Sequence, residues 1–325
     1  MSGERIVSVG AGRMGRGMAI AFAYAGHEVV LVDAKVRDAD GFAALQDTAL
    51  QEIAQTLHSM AGFGMMDSDE VPTIAARVTC VGLDESANAL AQADVIFEGV
   101  PEVMDAKKEA FALISTHART DAIVASTTST ILSNDLQGLV MHPERFLNAH
   151  WLNPAFLVPL VELSPGDATA PDTTERLKTL LEGIGKVPVI CAASPGYIVP
   201  RIQMLAMNEA ARMVEEGVAT AEDMDKATKY GFGFRFAILG LLEFIDWGGG
   251  DILYHASNYM EHATGQDRFA APQIVKDNMA NGRNGLRDGQ GFLNYEGLDV
   301  PAYQQERLAA FVSMLRHLKK MPKKG

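Results

Sequence analysis

A glycine-rich turn between a short apolar run and a helix-like stretch constrains the fold more than any other feature. The run Ile6-Val7-Ser8-Val9 ends in Gly10-Ala11-Gly12-Arg13-Met14-Gly15, and the mostly apolar residues 18–23 follow. A buried strand that ends in such a turn and opens a helix is typical of dinucleotide-binding sheets. The free N–H groups at the helix start then bind the pyrophosphate. The turn therefore predicts a βαβ unit with a dinucleotide site.

A carboxylate stands at the end of the second predicted strand. Val29-Val30-Leu31-Val32 is followed by Asp33. An acid at this place accepts hydrogen bonds from the ribose hydroxyls and repels a 2′-phosphate, which favours NAD over NADP. Lys35 and Arg37 follow closely and are the features that would favour NADP instead. We predict that NAD is bound by residues of the glycine-rich turn and by the acid after the second strand, namely Gly10, Gly12, Arg13, Met14, Gly15 and Asp33.

Further strand-like runs alternate with helical patterns over the first 190 residues. They are predicted at 78–81, 94–98, 122–126, 145–148, 158–163 and 187–190. Such alternation is typical of a parallel sheet with helices on both faces. From Tyr197 to about Leu318, apolar residues recur at helical spacing instead. We predict an α/β fold, with a Rossmann-type, doubly wound, mostly parallel sheet over residues 1–190 and an all-α domain over residues 191–325.

One histidine and one isolated acid are the main candidates for chemistry. His150 follows the predicted strand 145–148, at the sheet edge where doubly wound folds keep their sites. Glu162 lies inside the apolar run 158–163, and a buried carboxylate requires a partner. A returning strand would bring it to His150 as the acid that orients a base. On these residues alone, a purely structural histidine is an equal alternative.

Charge and cysteine content narrow the partners. The chain has 28 Lys and Arg against 41 Asp and Glu, a net charge of −13, which disfavours nucleic acid. Cys80 and Cys191 are its two cysteines, and the Cys/His spacing of a metal site is absent, so we predict no metal. No apolar stretch is long enough for a membrane span, and the start lacks a basic-then-apolar signal. We expect a cytoplasmic protein with a small-molecule substrate.

The order of several motifs resembles the NAD-dependent L-3-hydroxyacyl-CoA dehydrogenase family, from Ile6 to about Tyr295. That family also contains L-gulonate 3-dehydrogenase, carnitine dehydrogenase and a pyridine-carboxylate dehydrogenase. The resemblance implies an oxidoreductase that acts on a secondary hydroxyl, with a homodimer formed through the C-terminal helical domain. The motifs beyond the glycine turn are Glu98-Gly99-Val100-Pro101-Glu102, Ala125-Ser126-Thr127-Thr128-Ser129, His150-Trp151-Leu152-Asn153-Pro154, Ser194-Pro195-Gly196-Tyr197 and Asp288-Gly289-Gln290-Gly291-Phe292.

The resemblance also implies roles for four residues at the reacting centre. His150 matches the family's catalytic base and Glu162 its partner carboxylate. Ser129 matches a serine between cofactor and substrate, and Asn153 matches an asparagine near the nicotinamide. Together these residues would take a proton from a hydroxyl and orient the substrate.

The resemblance also implies that Glu102, Lys107 and Arg287 contact the cofactor.

Two positions depart from the family pattern. Pro200 stands where the family has an asparagine that contacts substrate, and Thr127 replaces another common asparagine. A proline cannot supply an amide side chain, so the substrate contacts of this chain have changed or come from other residues.

Two other function classes remain as alternatives. A 3-hydroxyisobutyrate-type dehydrogenase uses a lysine on the helix that opens its second domain, and residues 196–225 contain none. A non-catalytic NAD(H)-binding structural protein would have no use for the pair His150 and Glu162. The sequence therefore favours an enzyme.

The charge of one segment bears on the substrate. Residues 38–76 contain no Lys or Arg, and their acids are Asp38, Asp40, Asp47, Glu52, Asp67, Asp69 and Glu70. Like charges raise the cost of holding a polyanion such as coenzyme A, by about 1 kcal/mol per near pair in water. Both a small 3-hydroxy carboxylate and a 3-hydroxyacyl-CoA such as 3-hydroxybutyryl-CoA remain open, and the charge favours the carboxylate.

Overall fold

A computed structural model describes residues 3–323, and the chain forms two compact units, Met1–Ala206 and Met207–Gly325. The described part of the first unit carries an eight-stranded sheet. Its strands are short, apolar and rich in β-branched residues, as expected for strands buried on both faces. In chain order they are β1 (Ile6–Val9), β2 (Val29–Val32), β3 (Val78–Val81), β4 (Val95–Glu98), β5 (Ile123–Ser126), β6 (Phe146–Trp151), β7 (Leu160–Pro165) and β8 (Val187–Ile190).

The sheet order is β3-β2-β1-β4-β5-β6-β7-β8. The neighbouring strands pair in parallel except β6 and β7, which are antiparallel. The strand order reverses between β1 and β4, and ligands of doubly wound sheets bind at the carboxyl ends of strands at such a reversal. The predicted fold class, a mostly parallel doubly wound sheet followed by helices, is confirmed.

Helices accompany the strands of the first unit. They are α1 (Arg13–Tyr24), α2 (Ala39–Gly62), α3 (Val71–Ala75), α4 (Leu83–Ala91), α5 (Met104–His117), α6 (Ser133–Leu136), α7 (Pro171–Gly183) and α8 (Val199–Glu215), of which α8 continues into the second unit. Buried side chains form two hydrophobic clusters. The first contains the rings of Phe22, Phe97 and Trp151 at centroid distances of 5.6–5.9 Å, and the second pairs Phe111 with Phe146 at 5.5 Å. Aromatic pairs of this kind add about 0.5–1.5 kcal/mol each beyond area burial, so they help to fix the sheet that carries the site.

Strand β6 is longer than the sequence indicated. The prediction ended it at Asn148, before His150, whereas the strand runs through His150 and Trp151. The reason is its antiparallel partner β7, in which Glu162 lies opposite His150 and Val161 opposite Trp151. Ladder hydrogen bonds to β7 extend β6 beyond the point where its own pattern stops.

The second unit is helical. Beyond α8, its helices are α9 (Ala221–Ala227), α10 (Gly233–Phe236), α11 (Leu241–Gly248), α12 (Gly250–Thr264), α13 (Gln273–Ala280) and α14 (Val300–His317). Asp246, only 2% exposed, accepts the backbone N–H groups of Phe292 and Leu293 and the hydroxyl of Tyr295. This buried carboxylate anchors the 285–295 loop. Of the helices between residues 3 and 323, none has the length and hydropathy needed to cross a bilayer.

The first compact unit extends to Ala206, inside α8. The domain boundary after residue 190, at the end of the last strand, stays a prediction. The start of α8 contacts the sheet, because the N–H groups of Ile198, directly before the helix, and of Val199, its first residue, hydrogen-bond to Glu162. The start of this helix is therefore part of the sheet unit.

Candidate active site

The paired strands β6 and β7 bring the predicted histidine and acid together. Nδ1 of His150 lies 2.7 Å from Oε2 of Glu162, and the two residues are 5% and 0% exposed. A carboxylate only accepts hydrogen bonds, so this contact places the imidazole proton on Nδ1. No residue between 3 and 323 hydrogen-bonds Nε2, whose lone pair is left to accept a proton. The arrangement is that of a general base and the acid that orients it.

The start of α8 holds the carboxylate of Glu162 in place. Oε1 accepts the N–H groups of Ile198 at 2.9 Å and Val199 at 2.8 Å. These are amides at a helix start, which have no partner within the helix, and the helix dipole favours a negative charge there. Both oxygens are thus engaged, and the buried charge is compensated by three donors.

The glycine-rich turn fits a dinucleotide. Gly10 has φ +121°, and a Cβ at Gly15 would lie 2.1 Å from the Gly10 carbonyl oxygen, so both positions require glycine. At Gly12 a Cβ would meet nothing within 4 Å, and no described side chain caps the start of α1. The turn therefore offers free N–H groups beside open space, the arrangement that binds a pyrophosphate. Arg13, exposed, and Met14, half-buried, lie at the same helix start.

A cavity of about 350 Å³ adjoins this turn. Its lining includes the turn residues 10–12, Asp33, Val100 and Pro101. Asp33, 5% exposed at the end of β2, pairs with the guanidinium of Arg37. The residues present fit the adenosine half of NAD, and Asp33 is the one that would accept hydrogen bonds from its ribose. Arg37 already occupies one oxygen of that carboxylate, so ribose hydroxyls would share Asp33 with it or displace it.

A buried ion-pair cluster follows β4. Nζ of Lys107, 1% exposed, lies 3.0 Å and 3.1 Å from the two oxygens of Glu98, which is 0% exposed, and 3.3 Å from Glu102. Glu98 also accepts the hydroxyl of Ser126 at 2.6 Å and the N–H of Val100 at 2.9 Å. Lys107 is thus enclosed among carboxylates, and its ammonium holds both Glu98 and Glu102.

Glu102 organises the segment that carries Ser129. Its Oε1 accepts the hydroxyls of Thr128 and Thr130 and the N–H groups of Ser129 and Thr130. Burial alone would raise the pKa of Glu102, but the Thr128 hydrogen bond and the charge of Lys107 outweigh it and lower that pKa. The carboxylate therefore stays charged, with Ser129 exposed on the loop that it holds.

The remaining predicted residues are placed as follows. Asn153 is exposed two residues beyond the end of β6, and Pro200 is the second residue of α8. Arg287 lies in the second unit, where its guanidinium pairs with Asp251 at 2.7 Å. This arginine therefore has a carboxylate partner within its own unit. Thr127 follows β5.

Two features were not predicted from the sequence. Glu98 ends the apolar strand β4 as a buried acid, and the isolated acid in an apolar run that drew attention to Glu162 could have identified it too. Tyr197 stacks on His150, with ring centroids 5.0 Å apart and an interplanar angle of 1°. This stack brings together residues far apart in the chain, and no local pattern indicates it.

Comparison with known families covers most of the chain. Residues 5–194 match the family model described as 3-hydroxyacyl-CoA dehydrogenase, NAD binding domain. Residues 196–295 match the model described as 3-hydroxyacyl-CoA dehydrogenase, C-terminal domain. The two matches join next to the start of α8, and together they include each predicted catalytic and cofactor-binding residue.

Individual relatives agree with these models. The chain is 31% identical to 5-formyl-3-hydroxy-2-methylpyridine 4-carboxylate 5-dehydrogenase of Mesorhizobium japonicum, over 97% of this chain and 98% of that protein. It is also 31% identical to 3-hydroxyadipyl-CoA dehydrogenase of Escherichia coli, over 90% of this chain and 59% of that protein. A crystal structure of a 3-hydroxyacyl-CoA dehydrogenase from Archaeoglobus fulgidus matches with a TM-score of 0.78 and 28% identity, over 98% of this chain and 100% of that one.

Proposed function

This chain belongs to the 3-hydroxyacyl-CoA dehydrogenase family, and from that premise we propose that it oxidises the secondary hydroxyl of a small 3-hydroxy carboxylate. It is an NAD-dependent oxidoreductase, and the proposal concerns its substrate and its catalytic residues. The observation that carries the proposal is the buried pair His150 and Glu162, in which Nε2 of the imidazole is left to accept a proton.

In the proposed mechanism, Nε2 of His150 takes the hydroxyl proton while charge develops on the oxygen. NAD bound at the glycine-rich turn would supply the acceptor for the hydride of the carbon that carries this hydroxyl. Glu162 holds the imidazole ring and stabilises the imidazolium that forms, because its carboxylate is 2.7 Å from Nδ1. Ser129 and Asn153, both exposed, are proposed to orient the hydroxyl and carbonyl oxygens of the substrate. In the reverse reaction, the imidazolium of His150 returns the proton.

Two observations support a substrate without coenzyme A. The acids of residues 38–76 lie on and next to α2 and α3, with no Lys or Arg in that segment. Repulsion from such a segment would weaken the binding of a polyanion. The relative from Mesorhizobium japonicum, matched over nearly its whole length, has a pyridine carboxylate in its name. We therefore expect a hydroxyl-bearing carboxylate at this site.

The substrate proposal predicts that 3-hydroxy carboxylates have a higher kcat/KM than 3-hydroxybutyryl-CoA. NADH formation is followed with a panel of three compounds. They are 3-hydroxybutyrate, its coenzyme A ester, and the pyridine carboxylate in which the formyl group is replaced by hydroxymethyl. An ester that is better by tenfold or more at moderate salt would contradict the proposal. The chain would then be a 3-hydroxyacyl-CoA dehydrogenase in substrate as well as in family.

A variant with one acid fewer in residues 38–76 tests whether this segment repels the coenzyme A ester. Asp47 is exposed on α2, so Asp47→Asn removes one negative charge and should leave the fold intact. If the acidic segment repels the ester, this variant raises kcat/KM for the ester by up to about fivefold, the equivalent of about 1 kcal/mol for one near pair of charges. The value for the small carboxylate should stay the same, and added salt should reduce the difference.

We further propose that the helical unit mediates a homodimer. Large apolar side chains are exposed on several of its helices, among them Met207 at 65%, Ile252 at 59%, Tyr259 at 72% and Leu308 at 57%. Apolar surface of this kind is typical of subunit contacts. Sedimentation velocity should find a species of twice 35.0 kDa, and a concentration-independent species of 35.0 kDa would contradict the proposal.

A further inference from the structure

The ring of Tyr197 covers one face of the His150 imidazole. The two rings are parallel, with an interplanar angle of 1° and centroids 5.0 Å apart. Tyr197 is 6% exposed and His150 5%, so the stack is almost completely screened from water. The imidazole is therefore held at two places, by Glu162 at Nδ1 and by Tyr197 along one face.

The backbone of Tyr197 has an unusual conformation for its residue type. Its φ is +45°, in the left-handed region that a bulky side chain rarely adopts and that typically costs about 1–3 kcal/mol. This conformation follows Gly196, with φ +77°, and comes directly before the two amides that bind Glu162. The chain thus turns sharply so that the ring meets His150 while the next two residues meet Glu162.

The phenol hydroxyl connects the same ring to the Ser129 segment. It donates to the carbonyl of Thr128 at 2.9 Å and accepts from the side-chain amide of Asn148 at 3.0 Å. That amide also donates to the carbonyl of Ile131 at 2.9 Å. Burial raises the pKa of Tyr197, so the hydroxyl keeps its proton and remains a donor. Tyr197 thus contacts the segment on both sides of Ser129, directly and through Asn148.

We infer that Tyr197 is a positioning residue, which holds the His150 ring and the Ser129 segment in register for proton transfer. This inference rests on the proposed role of His150 as base. A flat ring against the imidazole prevents it from tilting about the Glu162 contact, and its electron-rich face lies where positive charge forms during the reaction. Misplacement of a reacting group by about 1 Å can cost roughly 100-fold in rate, so loss of the stack should lower kcat.

Three substitutions at Tyr197 distinguish the contribution of its aromatic ring to kcat from that of its hydroxyl. Tyr197→Phe keeps the stack but loses the hydroxyl contacts with Thr128 and Asn148, so it should lower kcat clearly less than a variant without the ring, by under about tenfold. Tyr197→Leu removes the stack, and Tyr197→Asn does so with a residue that tolerates a positive φ, in case the leucine variant does not fold. Both should lower kcat by about 10–100-fold with the dissociation constant of NADH within about twofold. A higher kcat in Tyr197→Phe than in the variants without the ring shows that the ring, and not only the hydroxyl, positions the base.

The decisive experiment combines Tyr197→Leu, or Tyr197→Asn, with His150→Gln. If Tyr197 acts through the base, its loss costs little more once His150 is gone, because residues that act as a unit are not additive. An equal loss in both backgrounds, or unchanged kcat in the ring-less variants, would overturn the inference. A His150→Gln enzyme with full turnover would instead overturn the proposed base, which is a separate outcome.

A spectroscopic readout tests the stack without activity. The chain has 8 histidines, and the His150 ring signals are those absent from the NMR spectrum of His150→Gln. In the native protein and in Tyr197→Phe they should carry the upfield ring-current shift of a stacked imidazole, and in Tyr197→Asn they should lose it. Identical His150 signals in the native protein and Tyr197→Asn would contradict the geometry from which the inference starts.

Discussion

Replacing His150 with glutamine is expected to lower kcat by roughly 10²–10⁴, the contribution typical of general-base catalysis. The amide of glutamine can reach the same space and bond to Glu162, but it cannot accept the proton from the substrate hydroxyl. The dissociation constant of NADH, measured by fluorescence titration, should stay within about twofold, because the residues that fit the dinucleotide lie at the turn into α1 and directly after β2 and β4. A variant with nearly full turnover would remove this histidine from the mechanism.

Glu162→Gln is the companion variant. The amide keeps the shape and one acceptor, but it carries no charge to stabilise an imidazolium. We expect a smaller loss of kcat than in His150→Gln, with an unchanged fold in circular dichroism. A loss larger than that of His150→Gln would indicate that Glu162 is needed for the fold of the strand pair rather than for chemistry.

The second large effect is expected at Lys107. Lys107→Met should lower the free energy of unfolding by about 3–5 kcal/mol, because removal of one partner leaves a buried charge uncompensated. The charge in question is that of Glu98, which is 0% exposed and faces the lysine ammonium with both oxygens. Urea unfolding of the native chain and the variant measures the difference.

The double variant Glu98→Gln with Lys107→Met is the matched control. It removes both charges, and the amide can still accept the hydroxyl of Ser126 and the N–H of Val100. We expect it to regain much of the lost stability, since replacing both members of a buried pair is far less costly than breaking it. Equal stability of the single variant and the native chain would show that the cluster contributes little to the fold.

The sheet and its cofactor turn were predictable because their determinants are local. Short β-branched runs bounded by glycine and acid residues predict strands, and the spacing of Gly10, Gly12 and Gly15 predicts the turn. The pairing of His150 with Glu162 was also predictable in outline. A lone acid in an apolar run requires a buried partner, and a returning strand supplies the geometry.

The finer geometry depends on contacts between distant segments. The extension of β6 through Trp151 follows from its pairing with β7, and the start of α8 is held on the sheet by amides bonded to Glu162. The cofactor contacts that the motif match implies for Lys107 and Arg287 stay predictions, and the motif does not specify which carboxylates these side chains pair with. In the structure, Lys107 forms an ion pair with Glu98 and Arg287 forms one with Asp251.

The stack of Tyr197 on His150 shows the same limit. Tyr197 belongs to the motif Ser194-Pro195-Gly196-Tyr197. This motif predicts neither the positive φ of the tyrosine nor its stacking on the His150 ring, 47 positions earlier in the chain. Such contacts arise only once the chain has folded, because tertiary packing overrides local backbone preference.

The central claim, that His150 accepts the substrate proton in the hydride-transfer step, is tested most directly by the first turnover. Steady-state kcat can be limited by product release, whereas NADH formation in a stopped-flow first turnover reports the chemical step itself. With the best hydroxy carboxylate of the panel, the first-turnover rate should fall by roughly 10²–10⁴ in His150→Gln and by less in Glu162→Gln. A first-turnover rate in His150→Gln equal to that of the native enzyme would contradict the account.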